Sequence, residues 1–446
     1  MSRPVFYCGL VGFCWLYQSI FLTVGFVLIL ISLLILVILR ECEFREYEAQ
    51  KMKVSERARN VPPSATLAVT ARAKELKAQG VNVIDFGAGE PDFDTPQYIK
   101  KAAIEALQAG RTKYTPASGT PELKKAIAEK LQRENGLEYK PDQIVVNIGA
   151  KHSVYNAMQA VLDPGDVVIL PTPYWLTYPE AIKLAGAKVK VVKTSSRYNY
   201  KIIPQQLKKA IGKKTRMFVL NSPNNPGGFT YRPQELADLA KVLEGTDVIV
   251  LSDEIYERFI YGDTKFISFA SLSKDAYERT LTINGFSKTY SMTGWRLGYT
   301  AGSVDVIKTM GRLQDHSTSN PVTFAQDAAI AAFKDPMGEV EKMRLEFEKR
   351  AKYTAERLNA IKGVKCPQPT GAFYCFPDVS AHYGRTIGSV KIVGSIDFAK
   401  ALLEQANVAV VPGLPFGCDK NIRLSFATSM QNITEGLDRL EKWLQG

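Results

Sequence analysis

One lysine has the neighbours for carbonyl chemistry. A strand-like run over residues 280–283 ends in Asn284-Gly285, and a polar turn then carries Ser287 and Lys288. Arg296 follows eight residues on. A lysine amine forms a Schiff base with a carbonyl when burial or a cationic neighbour keeps part of it deprotonated near neutral pH. Ser287 and Arg296 are donors suited to a phosphate beside that amine. The combination suits a phosphate-bearing aldehyde such as pyridoxal phosphate (PLP). A solvated turn reads the same way in isolation, so other segments must decide.

Five segments offer partners. Residues 146–153, VNIGAKHS, run from an apolar stretch through Gly149 and Ala150 into a helical pattern. Amides at a helix start bind anions, although an ordinary strand-to-helix turn has the same signature. Trp175, in Pro173-Tyr174-Trp175, is either a core aromatic or a platform for a flat heterocycle. Residues 221–228, NSPNNPGG, form a polar turn in which asparagine either caps the turn or donates to a ring hydroxyl oxygen. Asp253, in Ser252-Asp253-Glu254-Ile255-Tyr256, is either a helix N-cap or the carboxylate that pairs with a protonated pyridine nitrogen. Tyr256 lies about one helical turn on. Arg423 sits inside an apolar run, NIRLSF, where it is costly unless paired, and its fork matches a carboxylate. A structural ion pair is the alternative there.

The elements that must position these residues alternate along the chain. Apolar runs at 144–146, 167–170, 189–192, 217–220, 248–251, 281–283 and 297–301 read as seven buried strands. Amphipathic helices such as residues 233–243 lie between them, which predicts a parallel-dominated α/β sheet with its ligand at the strand tips. After about Gly338 the pattern changes to a long charged helix over 339–361 and then short strands, marking a second domain. With 46% apolar and 23% charged residues the chain is globular over most of its length. Its net charge of +12 is dispersed, and no basic block is interleaved with aromatics, so nucleic-acid binding is unsupported. Six cysteines without paired spacing argue against zinc and disulfides. The three histidines lack a metal-ligand or triad context, so no metal is expected and lysine is the candidate proton carrier.

Residues 4–39 carry no charge, and 19–39 are almost wholly Ile, Leu, Val and Phe. About twenty such residues span hydrocarbon. This predicts a transmembrane segment over residues 1–40, a linker or N-terminal arm over 41–65, and a single-pass anchor with the catalytic part cytoplasmic. A competing reading starts translation at Met52, which gives a soluble cytoplasmic enzyme.

With these residues assembled, the chain from about Val54 to Leu444 resembles the class I aminotransferases, PLP enzymes of fold type I, and most closely their bacterial-type aspartate aminotransferase subgroup. The likeness rests on GAGEPDFDTP (residues 87–96), KYTPASGTPEL, GAK, PYW, SPNNPGG, SDEIYE, NGFSKTYSMTGWRLGY and NIRLSFA in that order. It implies a seven-stranded, mostly parallel sheet in a large domain over 97–345, with a smaller α+β domain made of 66–96 and 346–446. Lys288 would bind the cofactor and shuttle a proton between substrate Cα and cofactor C4′, and Asp253 would hold the pyridine nitrogen. Asn225 and Tyr256 would bond the phenolic oxygen, and Trp175 would stack on the ring. Gly149, Ala150, Ser287 and Arg296 would grip the phosphate, joined by Tyr114 from the second subunit of a homodimer with shared sites. Arg423, Asn225, Trp175 and the Gly89 amide would hold the substrate α-carboxylate, while Lys151 would meet a distal one.

The implied reaction is ping-pong transfer between L-aspartate and 2-oxoglutarate. The stretch Pro63-Ser64-Ala65-Thr66 also resembles members that accept prephenate. Two departures stand out: Pro226-Gly227-Gly228 replaces the family's usual turn, and Asp315 falls where relatives place a neutral or positive residue near the distal carboxylate. Alternatives of the same fold are an aromatic or other amino-acid aminotransferase and a PLP-dependent C–S lyase. A non-catalytic regulator of this fold would carry a DNA-binding domain where the apolar segment stands. A membrane scaffold would not need the complete set of site residues.

Overall fold

The computed structural model describes residues 24–25, 27–42 and 53–446. The chain forms two compact units, Met1–Pro62 and Pro63–Gly446. In the first, residues 27–42 are helical, and a short helix Glu56–Arg59 is capped by Ser55, whose hydroxyl accepts from the Ala58 amide at 3.3 Å. The single-pass membrane anchor expected here is corrected: among the described residues, no helix is long and apolar enough to cross a membrane. The described helical residues 24–25 and 27–42 close on Arg40, Glu41 and Cys42, where charge enters the apolar run. Residues 1–23, residue 26 and residues 43–52, Met52 included, lie outside the described ones.

In the second unit a short strand β1 (Ile84–Asp85) precedes the main sheet. That sheet is built from β2 (Ile144–Asn147), β3 (Val167–Pro171), β4 (Lys188–Val192), β5 (Thr215–Asn221), β6 (Ile249–Asp253), β7 (Thr280–Gly285) and β8 (Gly298–Ala301). Its spatial order is β2-β8-β7-β6-β5-β3-β4, and only β8 runs against its neighbours. All seven expected runs are therefore strands, with ends shifted by up to two residues. The Val, Ile and Leu content of β2, β3, β5 and β6 reflects burial on both faces, whereas the edge strand β4, expected to be buried, alternates lysine with valine and is largely exposed. Alternate residues serve opposite layers. Val168, Leu170, Met217 and Val219 pack with the helices Ala150–Val161 and Thr177–Leu184. Ile169, Phe218 and Leu220 pack with Pro204–Ala210 and Pro233–Leu243. Leu239 is fully buried in that second layer, and its truncation to Ala would cost about 2–5 kcal/mol.

Local chemistry sets the helix ends. Thr120 caps Pro121–Asn135 by accepting from the Leu123 amide at 3.3 Å. Gly136, at φ 68°, closes the same helix in the left-handed conformation that glycine adopts without steric cost. The long helix Glu339–Ala360 carries one apolar stripe, including Met343, Phe347 and Leu358, into the largest core cluster. Beyond it come β9 (Tyr374–Cys375), the hairpin β10 (Thr386–Ile387) and β11 (Val390–Lys391), then β12 (Val408–Ala409), β13 (Val411–Pro412) and β14 (Ile422–Ser425). Strands β13, β14 and β9 make an antiparallel sheet, and β12 pairs in parallel with β1.

Candidate active site

The carboxyl ends of β2, β3, β5, β6 and β7 share one edge of the main sheet, where ligands of open α/β sheets bind. Asp253 is the last residue of β6, lying opposite Asn221 at the end of β5. Lys288 follows the end of β7, and Arg296 stands just before β8, whose opposite direction brings its start to the same edge. Gly149 and Ala150 lie between β2 and the helix Ala150–Val161. Asn225 is held because its amide donates to Asn221 Oδ1 at 2.9 Å. Arg423 comes from β14 and is 2% exposed.

Lys288 donates from Nζ to the Gly89 carbonyl at 2.5 Å. Burial lowers its amine to about 8, with Arg296, Arg423 and Lys151 adding to the effect and Glu90 opposing it. An amine of that pKa is roughly one quarter neutral at pH 7.5, against about 0.1% for a free lysine. Asp253 is buried, and its carboxyl is pushed up to about 6 by desolvation. Opposing that shift, Tyr178 donates to its Oδ2 at 2.6 Å and the Ile255 amide to its Oδ1 at 3.2 Å. A buried carboxylate whose direct donors are both neutral is completed by a cation.

Arg423 donates from Nη1 to Asn225 Oδ1 at 3.0 Å and from Nη2 to the Gly87 carbonyl at 2.8 Å. Its Nε has no partner among the described residues. Neither bond neutralises the guanidinium, which leaves it free to take an anion. Arg296 adopts φ 56°, a left-handed conformation that costs an L-residue about 1 kcal/mol. Its guanidinium lies so close to Gly149 that a Cβ there would stand 2.5 Å from Nη2. Only glycine, itself at φ 81°, leaves that approach open at the helix start. Lys151 sits over the Trp175 ring at 5.2 Å, its amine lowered by partial burial and by Arg296.

A family model for class I and II aminotransferases matches residues 81–440. The chain belongs to that family. An aspartate aminotransferase of Bacillus sp. (strain YM-2) is 48% identical over 396 residues, 89% of this chain and 100% of the relative. The aspartate/prephenate aminotransferase of Cereibacter sphaeroides is 47% identical, covering 88% of this chain and 99% of its own. Among solved structures, the aspartate aminotransferase of Rhizobium meliloti superposes with TM-score 0.85 at 41% identity, covering 89% of this chain and 99% of its own. That of Thermus thermophilus, with maleate, gives 0.83 at 41%, covering 88% and 100%. This aminotransferase is a PLP-dependent enzyme, and its residues fit the cofactor. The hydrogen-bond donors to Asp253 among the described residues are neutral, glycine at φ 81° lets the Arg296 guanidinium approach the helix start, and Lys288 supplies a partly neutral amine.

Within the aminotransferase chain, Lys288, Gly89, Asp253, Tyr256, Arg296, Gly149, Arg423, Asn225, Lys151 and Trp175 are linked by the contacts above or by mutual electrostatics. Ser287 is buried beside Lys288, and Ala150 opens its helix. Tyr114 stands apart, 91% exposed. Asp315 is also exposed and lines an open groove with Ser118, Lys124 and Arg312. Two tyrosines escaped the sequence reading. Tyr178, at the start of the helix Thr177–Leu184, and Tyr374, inside the apolar GAFYCF run, both read as core aromatics.

Proposed function

We propose that this enzyme moves the amino group of L-aspartate to 2-oxoglutarate in a ping-pong cycle. The observation that carries the reading is a pair of cations at different depths: buried Arg423 with an unpartnered Nε, and Lys151 nearer the surface. Two cations suit a substrate with two carboxylates. The names of the relatives, and the maleate in the Thermus thermophilus structure, support a four-carbon dicarboxylate. Prephenate as a further acceptor is supported by the Cereibacter sphaeroides name.

Lys288 would hold the cofactor through Nζ, Asp253 would face its pyridine nitrogen, and Tyr256 with Asn225 its ring oxygen. Trp175 would cover the ring. Gly149, Ala150, Ser287 and Arg296 would hold the phosphate. Bound there, PLP supplies an electron sink that makes the substrate Cα–H acidic. Asp253 would face the pyridine nitrogen and keep that sink effective. Lys288, once its amine is free, would serve as the general base that takes the substrate Cα proton and as the acid that gives it back. Arg423, with Asn225, Trp175 and the Gly89 amide, fixes the α-carboxylate so that the Cα–H bond faces Lys288, and Lys151 takes the distal carboxylate.

Tyr114 would complete the phosphate site of a second copy in a homodimer, which its 91% exposure supports. The seven-stranded sheet lies within 97–345 and the smaller sheets outside it, which supports a large domain there and a small one from 66–96 and 346–446. The test is to purify the full chain, record its visible cofactor band and rank amino donors by kcat/KM with 2-oxoglutarate. Aspartate is expected to lead. A chain without the band, or one that turns over aromatic donors faster than aspartate, would overturn the proposal.

A further inference from the structure

Tyr374 is fully buried where three parts of the site meet. On the antiparallel pair β9–β14 it lies opposite Ser425, so Arg423, two residues earlier, is its diagonal neighbour on the same face. The Arg423 guanidinium accordingly lies 4.6 Å from the centre of the Tyr374 ring. At the other end, Tyr374 Oη is 2.9 Å from Tyr256 Oη. A Cβ at Gly89 would stand 3.4 Å from that same hydroxyl, so Tyr374 also packs over the segment whose carbonyl receives Lys288. The Tyr374 carbonyl is pressed against Gly228, where any side chain would collide with it, which fixes the backbone that aims the ring.

We propose that Tyr374 is a positioning residue with two separable parts: its hydroxyl donates to Tyr256 Oη, and its ring holds the Arg423 guanidinium in the plane that receives the substrate α-carboxylate. The inference rests on the proposed PLP site. A phenol has one proton to give. If Tyr256 gives its proton to the cofactor's ring oxygen, the 2.9 Å contact must be donated by Tyr374. Burial raises both phenols and Arg423 opposes that rise in each, so both hydroxyls remain protonated donors. The ring meanwhile offers its negative face to a guanidinium that has two neutral acceptors and no carboxylate partner.

Tyr374→Phe removes only the hydroxyl. With Tyr256 a weaker donor, the anionic ring oxygen loses stabilisation, so the pH midpoint of the bound cofactor's visible band moves up by roughly half to one unit. Its Kd for succinate, a dicarboxylate that cannot react, should stay within about twofold, because the ring remains. Tyr374→Met removes the ring as well and should weaken succinate at least about fivefold. Thermal unfolding of each variant identifies any general loss of structure. An unmoved midpoint in Tyr374→Phe overturns the hydroxyl role, and unchanged succinate affinity in Tyr374→Met overturns the ring role. A wild type with no cofactor band overturns the PLP reading itself, a result distinct from either.

Discussion

The floor and the rim of the cleft hold similar charges under opposite conditions. On the floor, Asp253 and Arg423 are 3% and 2% exposed, and Lys288 is partly sunk beside them. On the rim, Arg296 and Lys151 are exposed. Floor residues come from strand ends or adjoining turns and have their geometry set by packing. Rim side chains lie where packing sets their geometry less. Desolvation separates the two by degree: it moves Lys288 to about 8 and Asp253 to about 6, while Lys151 on the rim is lowered by partial burial and by Arg296. On the proposed reading, covalent and proton chemistry belongs to the floor, and substrate choice to the rim.

The sharpest way to break that division is Lys288→Ala. Transamination should fall by roughly four orders of magnitude, the upper end of what a placed acid–base group contributes, while phosphate contacts still retain the cofactor. Single-turnover kinetics of the loaded variant measures it; residual turnover within tenfold of wild type would place the proton carrier elsewhere. Arg423→Lys should cost about a hundredfold in kcat/KM, because a lysine keeps the charge and loses the fork that bridges Asn225, Gly87 and a carboxylate. Its cofactor band should persist, and loss of that band would make Arg423 structural.

A third effect is on stability. The Lys288 amine has a folded pKa of about 8 against 10.5 for the free amine. Between those values the folded chain binds fewer protons than the unfolded chain, so stability contributed by this group rises with pH. Below pH 8 the folded state carries the full penalty of a buried ammonium. Cofactor-free Lys288→Met should therefore melt a few degrees higher than cofactor-free wild type at pH 7, and the gap should close toward pH 10.5. A constant gap across pH 7 to 10.5 would mean packing, not charge, explains it.

The floor was largely legible in the sequence, because strands and their polar tips are local. Asp253 after IVLS and Lys288 after LTINGFS are visible as chemistry at the end of buried runs. Tyr374 was not, since its partners Tyr256 and Arg423 lie 118 and 49 residues away, Arg423 meeting it through the β9–β14 pairing and Tyr256 from beyond the end of β6. Tyr178 reads as an ordinary core aromatic until its hydroxyl is seen on Asp253. The apolar N-terminal run misled for a different reason: hydropathy over residues 19–39 suggests a span, whereas among the described residues no helix is long and apolar enough to cross a membrane.

The smallest expected effect tests the rim. Lys151 is exposed, packs on the Trp175 face at 5.2 Å and has its amine lowered by partial burial. A solvated ion pair is worth up to about 1 kcal/mol, so Lys151→Ala should reduce kcat/KM for aspartate by roughly fivefold. An aromatic donor has no distal carboxylate and should lose less than about twofold, since Trp175 remains in place. Raising the ionic strength should shrink the wild-type advantage for aspartate in parallel, because hydrated charges are screened while buried Arg423 is not. Equal losses for both donors would make Lys151 a support for Trp175, and the choice of substrate would then pass to the floor.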